Sequence, residues 1–156
     1  MNTQTTTLDN SSADATTSNR ILRAFLAAWW HGNVVEAADL FSDQFTFTDQ
    51  ALGLEFKDKR RLTEFLAKTR ELFPDTQRTD KTISSSEDGI ISEWTLTATL
   101  SEPVPGGLMR KVPIRVQGIS VVQLQNGKIT RWSDYYDQQT ARGYGLASGF
   151  TEWTEL

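Results

Sequence analysis

Apolar and polar positions alternate with two different periods along this chain, helical through most of its first half and twofold beyond Pro74, with one short twofold stretch between the helices. Leu22, Phe25, Leu26 and Trp29 recur at helical spacing, with Ser18 or Asn19 as N-cap candidates and Gly32 as the C-terminal cap. A short second helix is expected over Val34 to Phe41. The segment "QFTFTDQ" then alternates with period two, placing Phe45, Phe47 and Asp49 on one strand face and Thr46 and Thr48 on the other. From Asp58 to Phe73 the helical period returns through Leu62, Phe65, Leu66, Thr69 and Leu72, and Pro74 follows its end.

Beyond Pro74 the pattern is that of strands. Thr79 to Ser85 is a weak strand, whereas "IISEWTLTATL" alternates clearly, with Trp94, Leu96, Ala98 and Leu100 on one face. "EPVPGG" reads as a loop leading to a long strand over Met109 to Gln125, in which Gly118 suggests a bulge or bend. "QNGK" is a hairpin turn that leads into "ITRWSDYYDQQ", where Thr130, Trp132, Asp134 and Tyr136 share a face. Three helices followed by four antiparallel strands predict an α+β fold with a curved sheet covered by helices.

The 156 residues suit one domain. Residues 1–18 are nearly all Thr, Ser, Asn, Asp and Ala, a composition expected to form a disordered tail. Residues 19–143 are the expected domain and 144–156 a C-terminal extension. With no Cys and one His, neither a thiolate site nor a multi-His metal site is expected. The net charge of −4 weighs against nucleic acid as the main partner, and no run suits a membrane helix. A cytoplasmic protein without metal or cofactor is the resulting expectation.

Two carboxylates change this picture. If Trp132 and Tyr136 face the core, Asp134 faces it with them, and burial of Phe45 and Phe47 turns Asp49 inward in the same way. A carboxylate away from water has its pKa raised towards neutrality, which suits a general acid or base. The competing expectation for an Asp at a strand end is a structural bond to backbone N–H groups. Asp137 falls on the opposite, solvated face.

The order of elements and the stretch "GISVVQLQNGKITRWSDYYD" resemble the SnoaL-like branch of the nuclear transport factor 2-like superfamily, which includes ketosteroid isomerases, polyketide cyclases, scytalone dehydratases and limonene epoxide hydrolases. The resemblance covers about Asn19 to Gln139. It implies a cone-shaped α+β barrel in which a curved antiparallel sheet wraps around N-terminal helices and leaves a deep apolar pocket, often in a homodimer.

Asp134 matches the Asp that limonene epoxide hydrolases carry in a similar "GKIT-x-W-x-D-Y" context, where it works with an Arg and a second Asp. Trp94 and Leu96 stand where those two partners are expected. Asp49 matches the proton-shuttling Asp of ketosteroid isomerases, while Phe25 and Ser120 replace that family's oxyanion donors. The resemblance therefore implies Asp134 as principal acid/base and Asp49 as its partner. Phe47, Trp94, Leu96, Trp132, Tyr136, Phe25, Ser120 and Trp30 complete the candidate substrate contacts. A small hydrophobic molecule is the implied substrate, and a ligand-binding or assembly module without chemistry is the competing expectation.

Overall fold

The computed structural model describes residues 16–154, so most of the expected N-terminal tail lies outside the described residues. Helix α1 (Thr17–Trp30) starts two residues earlier than its apolar pattern required, because the Thr16 side chain accepts the Asn19 N–H and serves as N-cap. Leu22, Phe25 and Trp29 form its buried face. Helix α2 (Val34–Ala38) is shorter than expected, and Phe41 already belongs to a strand. Helix α3 (Lys59–Leu72) is capped by Asp58, which accepts the Arg61 N–H at 2.9 Å, and it buries Leu62, Phe65 and Leu66. The Trp29 indole donates to the Leu66 carbonyl at 3.1 Å and joins α1 to α3.

Six strands form the sheet: β1 (Phe41–Asp49), β2 (Leu54–Phe56), β3 (Gln77–Ser86), β4 (Gly89–Val104), β5 (Leu108–Gln125) and β6 (Lys128–Tyr136). Their spatial order is β2-β1-β6-β5-β4-β3, which leaves β2 and β3 as edges, so the sheet is open rather than a closed barrel. It is also not wholly antiparallel. The early strand β1 pairs in parallel with the last strand β6, with Asp49 opposite Asp134.

Gly118 is not at a bulge; it pairs in continuous register with Trp94 and Tyr136. Its lack of a side chain has a packing reason. A Cβ there would come 2.4 Å from Trp94 Cζ2 and 2.5 Å from the Tyr135 carbonyl oxygen.

One sheet face is buried beneath the helices, around the ring of Phe25. That ring contacts Phe41 edge-on at 5.3 Å and Trp132 at 4.6 Å. After β6 the chain forms α4 (Gln138–Gly143), a 3-10 turn (Leu146–Phe150) and α5 (Thr151–Thr154), none of which the alternating pattern announced. Asp137 caps α4 by accepting the Thr140 N–H at 2.7 Å. Phe150 and Trp153 pack on Phe65 at 5.3 and 5.9 Å, so the C-terminal extension folds back over the domain.

Candidate active site

A cavity of about 720 Å³, counting its open mouth, lies between the buried sheet face, α1, α3 and the C-terminal turn. Its walls are largely aromatic and aliphatic. Of the residues singled out in the sequence, Trp30, Phe47, Asp49, Trp94, Leu96, Asp134 and Tyr136 line it together. Phe25, Ser120 and Trp132 do not line it. Phe25 and Trp132 are fully buried core residues, and Ser120 lies beneath Asp134. The C-terminal extension contributes Leu146 and Phe150 to the wall.

The two carboxylates sit directly across the β1–β6 ladder, where neighbouring strands run about 4.8 Å apart. Each is held by a different set of donors. Asp49 Oδ1 accepts the Leu52 N–H at 2.9 Å, and its Oδ2 accepts the Tyr136 hydroxyl at 2.7 Å. Burial outweighs these donors, and nearby Asp134 adds repulsion, so the Asp49 carboxyl is raised from 3.8 to about 7. Tyr136 is pushed above its ordinary range, first by burial and then by Asp49, so it remains a hydroxyl donor.

Asp134 Oδ1 accepts both the Ser120 hydroxyl and the Trp132 indole N–H, the latter at 2.9 Å. Among the described residues no hydrogen bond reaches its Oδ2. Burial raises the Asp134 pKa as well, against the attraction of Arg78.

Arg78, which the sequence did not single out, also lines the cavity. Its Nη2 donates to Ser120 Oγ at 2.9 Å, which places the guanidinium one hydroxyl away from Asp134. Its Nε and Nη2 also donate to the two oxygens of Asp80 at 2.8 and 2.9 Å, and the guanidinium lies 4.8 Å from the centre of the Trp94 ring. Ser92 completes the set by donating to Asp80 at 2.7 Å.

In the β3–β4 ladder Arg78 pairs with Leu96 and Asp80 with Trp94. An arginine and a second carboxylate therefore do accompany Asp134, supplied by the strand beside the one expected to carry them. The available signal was the two-residue spacing of Arg78 and Asp80, which places both on one face of β3.

This arrangement can take up and return a proton near neutral pH at Asp49. It can also present the unbonded oxygen of Asp134 to a molecule in the cavity. Among the described residues no group of three or more His, Cys, Asp or Glu side chains is arranged to hold a metal ion. Among them, too, no helix is long and apolar enough to cross a membrane.

Comparison with solved structures shows the same fold in distant proteins. A Catenulispora acidiphila protein with a ketosteroid isomerase-like fold, in complex with trimethylamine, aligns at TM-score 0.63 and 20% identity, covering 87% of this chain and 92% of its own. A candidate polyketide cyclase from Xanthomonas campestris aligns at TM-score 0.65 and 16% identity, over 79% of this chain and 92% of its own. A nuclear transport factor 2-like protein from Burkholderia xenovorans reaches 0.67 at 11% identity, over 82% and 95%. No curated protein matches the chain in sequence. Residues 22–132 match the family model of the SnoaL-like domain, and the chain belongs to that family.

Proposed function

We propose that this protein is a cofactor-independent enzyme that moves protons on a hydrophobic small molecule, using Asp49 and Asp134 as its acid/base pair. The observation that carries the reading is their meeting in one apolar cavity as direct partners across β1 and β6. Asp49, with its carboxyl at about 7, is the group suited both to take a proton and to return it. The family resemblance points to Asp134 as principal acid/base with Asp49 as its partner; with its carboxyl at about 7, Asp49 is better suited to the principal role. Asp134 is then the partner that donates to or orients the reacting group through Oδ2. Trp30, Phe47, Trp94, Leu96 and Tyr136 would hold the apolar body of the substrate.

Isomerisation, cyclisation, dehydration and epoxide opening all draw on such proton transfer. The distant likeness to a candidate polyketide cyclase supports this class of chemistry and selects no single reaction. The reading is tested by hydrogen–deuterium exchange next to the carbonyl of apolar ketones and 1,3-diketones in D₂O, followed by NMR. Exchange above the buffer rate is expected for the wild type and a loss of about 100-fold in Asp49→Asn. Exchange at the buffer rate across the series, or undiminished in both Asp49→Asn and Asp134→Asn, would overturn it.

A binding module without turnover is the second reading. It is favoured by the complex of the Catenulispora acidiphila neighbour with trimethylamine. For assembly we propose a homodimer through the outer sheet face, where Ile91, Ile119 and Tyr135 expose 37%, 40% and 40% of their surface.

A further inference from the structure

The charges around the cavity do not balance. Three carboxylates, Asp49, Asp80 and Asp134, stand in or beside it with one guanidinium, Arg78. Asp80 engages that guanidinium through two of its nitrogens, and only 5% of the Arg78 side chain is exposed. Arg78, engaged by Asp80, still attracts Asp134 but bonds neither it nor Asp49, whose hydrogen-bond donors are all neutral: a backbone N–H, two hydroxyls and an indole. Burying carboxylates without a counter-charge is unfavourable, and a proton or a positive ligand relieves the cost.

The rest of the wall suits a positive ligand too. Trp30, Phe47, Phe65 and Tyr136 bring aromatic rings to the cavity, and ring faces attract cations, whereas the Trp94 ring already carries the Arg78 guanidinium 4.8 Å from its centre. The two indole N–H groups without partners, Trp30 Nε1 and Trp94 Nε1, are fully covered by neighbouring atoms. They cannot meet an acceptor on a ligand while the side chains stay as they are. Beside the Asp80-paired Arg78 guanidinium and the Thr69 and Thr76 hydroxyls, which donate to the Phe65 and Phe73 carbonyls, the cavity presents carboxylate oxygens and aromatic rings.

We infer that the cavity takes an apolar organic cation, a protonated tertiary amine or a quaternary ammonium group on a hydrophobic body, with its charge against Asp49 and Asp134. The inference rests on the reading of this cavity as the ligand site. It deepens the acid/base proposal, because a positive nitrogen beside a carbon makes that carbon's proton easier to remove and stabilises the negative charge left behind. The rings exclude water from the ion pair, which strengthens it relative to a surface pair.

The test compares two molecules of nearly the same shape, phenyltrimethylammonium and its uncharged counterpart tert-butylbenzene. Both are titrated into the full chain and followed by tryptophan fluorescence and by amide NMR shifts. The expected result is that the cation binds at least about 10-fold more tightly, a ratio in the range of a desolvated cation–ring contact. In Asp49→Asn/Asp134→Asn the preference should vanish while tert-butylbenzene affinity holds. Equal affinity for the two in the wild type, tighter binding of tert-butylbenzene, or a cation Kd above about 1 mM overturns the inference without needing any variant to fold. Ketone exchange that persists with no cation preference removes this inference and leaves the acid/base reading standing. A cation preference without exchange does the reverse.

Discussion

Replacing Asp49 with Asn removes one charge from the β1–β6 ladder while keeping the shape of the side chain. The amide oxygen still accepts the Leu52 N–H, and the amide nitrogen can donate to the Tyr136 hydroxyl oxygen, which now bonds Asp49 as a donor. The consequence is a change in how stability depends on pH. In the folded protein the carboxyl is raised from 3.8 to about 7, so between these values the folded state holds a proton that the unfolded state has released. The contribution of Asp49 is thus fully present below 3.8 and is lost as pH rises through about 7.

At about 1.4 kcal/mol for each pH unit, the whole effect is about 4 kcal/mol, of which roughly 2.5 kcal/mol falls between pH 5 and pH 8. Asp75, Glu87 and Asp137 shift the other way, held down by hydrogen bonds from Thr99, Thr17 and Thr140, and so complete their titration at lower pH. Urea unfolding of both proteins across pH 5 to 8 should therefore show the variant gaining on the wild type by roughly 2.5 kcal/mol. A difference that stays constant within about 0.5 kcal/mol over that range would show that Asp49 titrates as an ordinary carboxylate, and the proton-shuttle assignment would fall with it.

Ser120→Ala removes a donor from Asp134 and an acceptor from Arg78. It should raise the Asp134 pKa further, read from the carboxyl carbon by NMR, and an unchanged value would show that the hydroxyl bond contributes nothing. Gly118→Ala should cost about 2–3 kcal/mol, since the new methyl meets the Trp94 ring and the Tyr135 backbone. Gly149→Ala meets only the tip of Leu72 and should cost less than about 1 kcal/mol, so equal thermal shifts would refute the packing account. Arg78→Met leaves Asp80 unpaired and should destabilise by about 3–5 kcal/mol, while Arg78→Met/Asp80→Leu recovers most of the loss; additive losses on denaturation would argue against coupling. Ile119→Glu should turn a dimer into a monomer in sedimentation, and a dimer that survives would place the interface elsewhere.

The carboxylates were legible in the sequence because alternation fixes a strand's faces once one aromatic neighbour is known to be buried. Phe45 and Phe47 orient Asp49, and Trp132 orients Asp134. Arg78 and Asp80 escaped because β3 has no apolar face of its own; its residues alternate only between exposed and half-buried. Their inward direction comes from pairing with Leu96 and Trp94, which local sequence does not express. Likewise Trp132 and Ser120 read as pocket wall, when their polar atoms support Asp134 from behind. The three residues of β2 are too few for a periodic signal. The parallel β1–β6 ladder has no local signature at all, since it joins segments at opposite ends of the fold.

That ladder ties the site to the order in which the chain assembles. The Thr48 hydroxyl reaches Ser133 at 2.9 Å across 85 positions of sequence, so Asp49 and Asp134 meet only after the intervening chain has been closed into a loop. Contacts of such long range form at a high entropic cost and tend to come late in folding. Before β6 is made, β1 pairs with the short β2 alone, and its other edge is open to pairing with another chain. The carboxylate pair therefore marks completion: a chain cut short of β6 loses half of its candidate chemistry and also the partner that keeps its first strand out of aggregates.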